Sequence, residues 1–176
     1  MATTTQMKIA LNYDYLRYDV EQLVHKYSYA RIDNTEKRYE ANLRSEDTND
    51  ADLIRRLIMS AAGRLRQTLS CYLDFTPEPS EPGSACDGTV TSDLDPSLNQ
   101  IKFTFKSSVY ADCESLANVM HLLVVRYAIS SWCAMQGYAS EAEREITDAN
   151  RYELDLKESI RRIKPSRPSG MAEPQS

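Results

Sequence analysis

The chain reads as a mainly α protein: a helical bundle of about four helices with a long central apolar helix, plus a long loop carrying a short β-strand or hairpin. Three observations predict this. Apolar residues recur at helical spacing in three separate stretches. A fourth stretch, LANVMHLLVVRYAISSWCAM from Leu116 to Met135, is apolar at almost every angular position of a helix. Between the helical patterns lies one proline-rich segment, in which only Ile101–Phe105 alternates as a strand does.

The first helix is expected over Tyr13–Ala30, with Asn12 as its N-cap. Leu16, Val20, Leu23, Val24 and Tyr27 make one buried stripe. Tyr15, Tyr18, Gln22 and Tyr29 gather on a different side. Tyrosines on a second face either flank the same core or meet another molecule, since tyrosine is enriched at interfaces. Residues 31–49 are polar and charged and are read as loop. A second helix opens near Asn49 or Asp50 and continues to about Tyr72, with Leu53, Ile54, Leu57, Ile58, Ala61, Leu65 and Leu69 as its stripe. Gly63 inside it suggests close packing.

Residues 74–110 contain TPEPSEPGSACDG and cannot continue a helix. A loop of this length is expected to dock on something. Ile101, Phe103 and Phe105 share one face of its strand, which is expected to pair with a partner or with another part of the same arm. The apolar helix is expected over Asp112–Gln136, with Asp112 and Glu114 as capping and dipole partners and Gly137 as its stop. Ser140 with Glu143 makes a capping box for a last helix. Its seam is Ala142, Ile146, Ala149, Leu156, Ile160 and Ile163, with Glu153 in the missing apolar slot. These elements predict a single helical domain over 1–164, an extended arm at 74–110 and a flexible tail at 165–176.

The central helix must be covered on nearly all sides. Arg126 and His121 near its middle argue against a membrane span, so the cover is expected to be protein. A chain of 176 residues has little to spare for that, which points to an assembly subunit. The net charge of −5 argues against a basic face for general nucleic-acid binding. The basic run RRIKPSR, including Arg161 and Arg162, reads first as a solvated tail; as a contact it would touch phosphates or, more in keeping with an acidic protein, meet an acidic patch on a partner. No cationic stretch followed by an apolar core marks an export signal at the N-terminus. The cysteines Cys71, Cys86, Cys113 and Cys133 show no paired spacing, and His25 and His121 are the only histidines. No metal, no cofactor and no catalytic residue are therefore expected, and the chain is read as no enzyme. Cys113 and His121 stand about 12 Å apart by helical rise, too far for a thiolate–imidazole pair.

The segments DADLIRRLIMSAAGRLRQTLSCYL, IKFTF and SLANVMHLLVVRYAISSW, in that order, resemble the head–tail connector proteins of tailed bacteriophages. In that family an acidic-capped helix with an LI-x-x-LI-x-x-A pattern precedes an extended loop and a second apolar helix. The opening LRYDVEQLVHKYSYAR is similar to tail-proximal proteins of phages of gut Bacteroidales, crAss-like phages among them. The resemblance covers the layout from Asp50 to Lys164; the longer first helix and the proline-rich insertion depart from it. It implies a virion protein, assembled in the host cytoplasm, that forms a neck ring of about twelve identical copies. The ring would lie between the portal and the tail or other neck proteins, with DNA as passing cargo and no membrane partner. The expected subunit-interface residues are Tyr15, Tyr18, Tyr29, Ile101, Phe103, Phe105, Arg161 and Arg162. The alternative is a soluble helical protein-binding or regulatory module with no virion role.

Overall fold

The computed structural model describes residues 7–30, 48–74, 94–95, 99–106, 109 and 111–161. In chain order these form β1 (Lys8–Asn12), α1 (Tyr13–Ala30), α2 (Thr48–Thr68), β2 (Leu94–Asp95), β3 (Gln100–Thr104), α3 (Cys113–Met135) and α4 (Ala139–Arg161). The fold is mainly helical, as the periodicity predicts. The helix α3 is its axis: α4, α2, α1 and β1 all pack on it. The sheet is antiparallel in the order β1-β3-β2. Among the described residues, no helix is long and apolar enough to cross a membrane. The expected tail at 165–176 and most of the expected arm at 74–110 lie outside the described residues, as does Ile163 of the expected last helix.

Local chemistry sets the helix ends. The Asn12 side-chain oxygen accepts from the backbone N–H of Asp14 at 2.8 Å and of Tyr15 at 3.3 Å, satisfying donors that the first turn of α1 leaves open. Asp112 does the same for α3, accepting from the Ser115 N–H at 3.0 Å. That pairing with Ser115 holds the exposed Asp112 carboxyl below its ordinary value. At the far end, Gly137 takes a positive φ of 75°. Tyr138 N–H then bonds Cys133 O at 2.8 Å and Gly137 N–H bonds Ala134 O at 3.2 Å, the double closure that a left-handed residue permits. The Tyr138 ring lies edge-on to Trp132 at 5.7 Å, the apolar contact that accompanies such a stop.

That turn also corrects the expected capping box. It fixes the chain direction at Tyr138, so α4 starts at Ala139 and Ala142 N–H already bonds Tyr138 O. Ser140 therefore lies inside the helix, where its hydroxyl donates to Glu141 instead of capping. The helix α2 stops earlier than Tyr72 for a related reason. Past Thr68 the backbone is captured by the sheet: Asp74 N–H bonds Thr104 O and Lys106 N–H bonds Tyr72 O, both at 2.9 Å. Gly63 faces open space, with nothing within 4 Å of where a Cβ would stand, so the expected close packing there is absent.

The apolar cover of α3 comes from the chain itself, which corrects the expected shortage. Leu116, Met120, Leu123, Val124, Tyr127, Ala128, Ile129 and Cys133 are buried, together with Leu16 and Val20 of α1, Ile58 and Leu65 of α2, and Leu156 and Ile160 of α4. Leu122 and Met135 are the large apolar residues of α3 left exposed. The strand β3 closes one end of this core. Its partner β1 was not expected: Ile9 pairs with Phe103 and Leu11 with Ile101 in register. Ile101, Phe103 and Phe105 are thus buried within the chain's own core, not on a face that a second subunit meets. A five-residue strand so near the N-terminus has no stability of its own, and only pairing across most of the sequence forms it.

Candidate interaction surface and the polar network beneath it

One side of α1 is buried and the other carries tyrosine. Leu16 and Val20 are fully buried, while Tyr15 is 70% and Tyr18 60% exposed, and Gln22 is exposed beside them. Tyr15 and Tyr18 are three residues apart and project from one face. Their position is rigid. The Asn12 cap holds the first turn, and Asn99, at a left-handed φ of 51°, donates from its side-chain amide to Asp14 at 2.6 Å. Tyr13 N–H adds a bond to Asn99 O at 2.9 Å, tying the start of α1 to the start of β3. Of the other expected contact residues, the side chains of Tyr29 and Arg161 and the whole of Arg162 lie outside the described residues.

Beneath this surface, polar groups bolt α1 and α4 to α3. Glu145 of α4 is 1% exposed and accepts from Tyr27 of α1 and from Arg126 of α3. Arg144 donates to the Tyr27 hydroxyl at 2.6 Å from the wet side and stacks over its ring. Burial and the bond to Glu145 push the Tyr27 phenol above its ordinary value. Burial alone would lower Arg126, but the bond to Glu145 and its charge outweigh this and raise it. A charge this deep persists only because its lone pairs are filled. A second bolt joins Tyr127 of α3 to Glu153 of α4 at 2.6 Å, with Lys157 bonding the same carboxylate at 2.6 Å. Arg64 of α2 lies over the Tyr127 ring, 4.1 Å from its centroid. Burial would raise Glu153, yet the bonds from Lys157 and Tyr127 hold it below the ordinary carboxylate value.

His121 of α3 bonds Asp19 of α1 at 2.7 Å through Nε2. A histidine–carboxylate pair is half of a nucleophile-activating relay, but among the described residues no hydroxyl or thiol bonds this imidazole. Cys113 and Cys71 are exposed elsewhere, and Cys133 is buried. Among the described residues no group of three or more His, Cys, Asp and Glu side chains is placed to hold a metal ion. The pair's evident work is to fix α1 on α3.

The sequence reading does not single out Glu145. A signal was present: Glu145 sits between Ala142 and Ala149 at helical spacing, on the apolar side of α4. Its partners, distant in sequence, had no such signal. Compared with protein-family models, with curated proteins and with solved structures, the chain gave no match.

Proposed function

We propose that this chain is a structural virion protein, one of the identical copies of a closed ring in the neck of a tailed phage, between portal and tail. The observation that carries the reading is the Tyr15–Tyr18 face: two large amphipathic side chains held out from a capped helix whose other side carries the fully buried Leu16 and Val20. Rigid aromatic residues lose little entropy on contact and anchor interfaces. The layout of an acidic-capped helix, a strand and an apolar helix from Asp50 onward supports the same reading. Head-to-tail contacts that close generate such a ring, and DNA passes through its channel. The chain in this role binds no cofactor, carries out no reaction and is assembled in the host cytoplasm.

A specific observation favours a second reading, a helical protein-binding module with no virion role. The core is complete within one chain, so the fold does not need a neighbour to cover α3. The same tyrosines would then meet a different protein. Mass in solution across a wide concentration range, with negatively stained grids, separates the two. The ring reading expects discrete closed oligomers that the Tyr15→Ala/Tyr18→Ala double variant loses while keeping its helical circular dichroism. A monomer at every concentration, for parent and variant alike, would overturn it.

A further inference from the structure

A closed ring needs a second surface, one on the neighbouring copy that receives the Tyr15–Tyr18 face. A lone exposed leucine is ordinary on a protein surface, so position has to choose among the exposed apolar residues. On α3, His121 bonds Asp19 of α1 at 2.7 Å, and the Ser130 hydroxyl donates to Ala142 O of α4 at 3.1 Å. His121 and Ser130 stand about two and a half turns apart, so at this level α1 and α4 lie on opposite sides of α3. They converge further along, where Tyr27 reaches Glu145. Each helix turns its buried stripe to α3 and its opposite face to solvent. On α1 that outer face is centred on Tyr18, and on α4 on Leu154, which is 63% exposed. The two centres are nearly level. Tyr18 precedes Asp19, which bonds His121; Leu154 follows Glu153, which bonds Tyr127, about 9 Å along α3 from His121. The exposed Met135 lies about 21 Å from His121, so contacts made through it would climb instead of closing. Leu122, one residue past His121, stands beside α1 itself.

We infer that the outer face of α4, centred on Leu154, receives the Tyr15–Tyr18 face of a second copy of this chain. The inference rests on the ring reading and names its contact. Direction follows from the bonds to α3. The helix α1 runs with α3, since Asp19 sits at His121 and Tyr27, further on, at the Glu145–Arg126 pair. The helix α4 runs back, since Ala142 meets Ser130 and Glu153 meets Tyr127. Rotation about a ring axis along the bundle keeps these directions, so α1 of one copy meets α4 of the next antiparallel. With Tyr18 set on Leu154, flanking residues pair in reverse order. Tyr15 and Asp19, one turn apart on one flank, come to Asp155 and Arg151, also one turn apart on one flank. On the other flank Asp14 comes to Lys157. Each couple joins a donor to an acceptor. Arg151 lies over the Tyr152 ring, 5.8 Å from its centroid, a stacking that uses its face and leaves its N–H edge to donate. Asp14, Asp19 and Lys157 keep their bonds to Asn99, His121 and Glu153, and each would gain a second partner. Glu158 falls opposite the first turn of α1, the end of a helix that favours an acid. Such exposed charges add little strength and fix the register, while the central tyrosine supplies the anchor.

The test is disulfide trapping in the full-length chain, with Cys71, Cys86 and Cys113 first changed to serine. Tyr18→Cys with Leu154→Cys should give, on mild oxidation, a ladder of covalent oligomers on a non-reducing gel. The two sites lie on opposite sides of α3 in one chain, so the bond has to join copies. A disulfide needs its Cα atoms within about 7 Å, so the ladder reports this register, and oxidation captures even a contact weakened by loss of the tyrosine ring. Tyr18→Cys alone, and Tyr18→Cys with Met135→Cys, should stay monomeric on the gel. Leu154→Glu should raise the protein concentration needed for rings by about 10-fold or more, with circular dichroism unchanged. Dimers from Tyr18→Cys alone would assign a two-fold contact between α1 faces, and trapping through Met135→Cys would assign the end of α3; either overturns the inference. So would parental rings that neither trap through Leu154→Cys nor respond to Leu154→Glu, an outcome that leaves the ring reading standing. A parent that is monomeric at every concentration overturns both.

Discussion

Removing the Glu145 carboxylate should loosen the whole helical assembly. In Glu145→Ala the Tyr27 hydroxyl and the Arg126 guanidinium lose their shared partner inside a site that is 1% exposed. Hydrogen bonds to charged groups contribute about 1.5–3 kcal/mol each. The Arg126 side chain is 25% exposed and can turn part of its charge to water, so the cost falls at the lower end, about 3 kcal/mol in all. For a chain of this size that corresponds to a fall in Tm of about 10 °C. Glu145→Gln keeps the shape and one acceptor and should cost about half as much. Urea titration followed by far-ultraviolet circular dichroism measures both, with the midpoint moving and the slope constant. A cycle pairing Glu145→Leu with Arg126→Met should show a coupling above about 1.5 kcal/mol, because the double change removes both charges together. A cost under about 1 kcal/mol for Glu145→Ala, with no coupling, would refute the argument that this network bolts α1 and α4 to α3.

Gly63→Ala should stabilise the protein by about 0.5–1 kcal/mol, since the position is exposed, helical and open around a Cβ; thermal melts that show a loss would place an unseen contact there. Phe103→Pro should destroy cooperative unfolding altogether, not merely an outward contact, because it removes a ladder donor and a fully buried ring from the central strand; a cooperative melt within a few degrees of the parent would contradict this. Glu153 titrates below its ordinary 4.5 in the folded chain, so its stabilising contribution is complete above that value and is lost as pH falls through the lower folded value. Unfolding free energy measured from neutral pH downward should therefore begin to drop near pH 4.5, and Glu153→Gln should flatten the drop.

The elements that were legible in the sequence are those whose cause is local. Asn12, Asp112 and Gly137 mark helix ends because a cap side chain or a left-handed residue acts on backbone groups within five positions of itself. The stripes of α1 and α2 were legible because burial follows the helical period. That Tyr15 and Tyr18 share a second face followed from the same geometry, while their exposure was decided by the packing of α1. Where two local signals competed, as at Ser140, the stronger turn at Gly137 displaced the capping box.

By itself, then, the sequence determined a helical chain with three of its helix ends, two faces on α1 and an apolar axis in α3. Only the tertiary structure decided that β1 pairs with β3 across most of the chain, and that Ile101, Phe103 and Phe105 turn inward because of it. It alone decided that α3 is covered within one chain and that Glu145 meets Tyr27 and Arg126. The physical reason is one of range. Hydrogen bonds of caps and turns join neighbours whose spacing the backbone fixes. Strand pairing, buried ion pairs and surface potential depend on which distant faces pack together, and apolar burial, which drives that packing, carries no direction of its own.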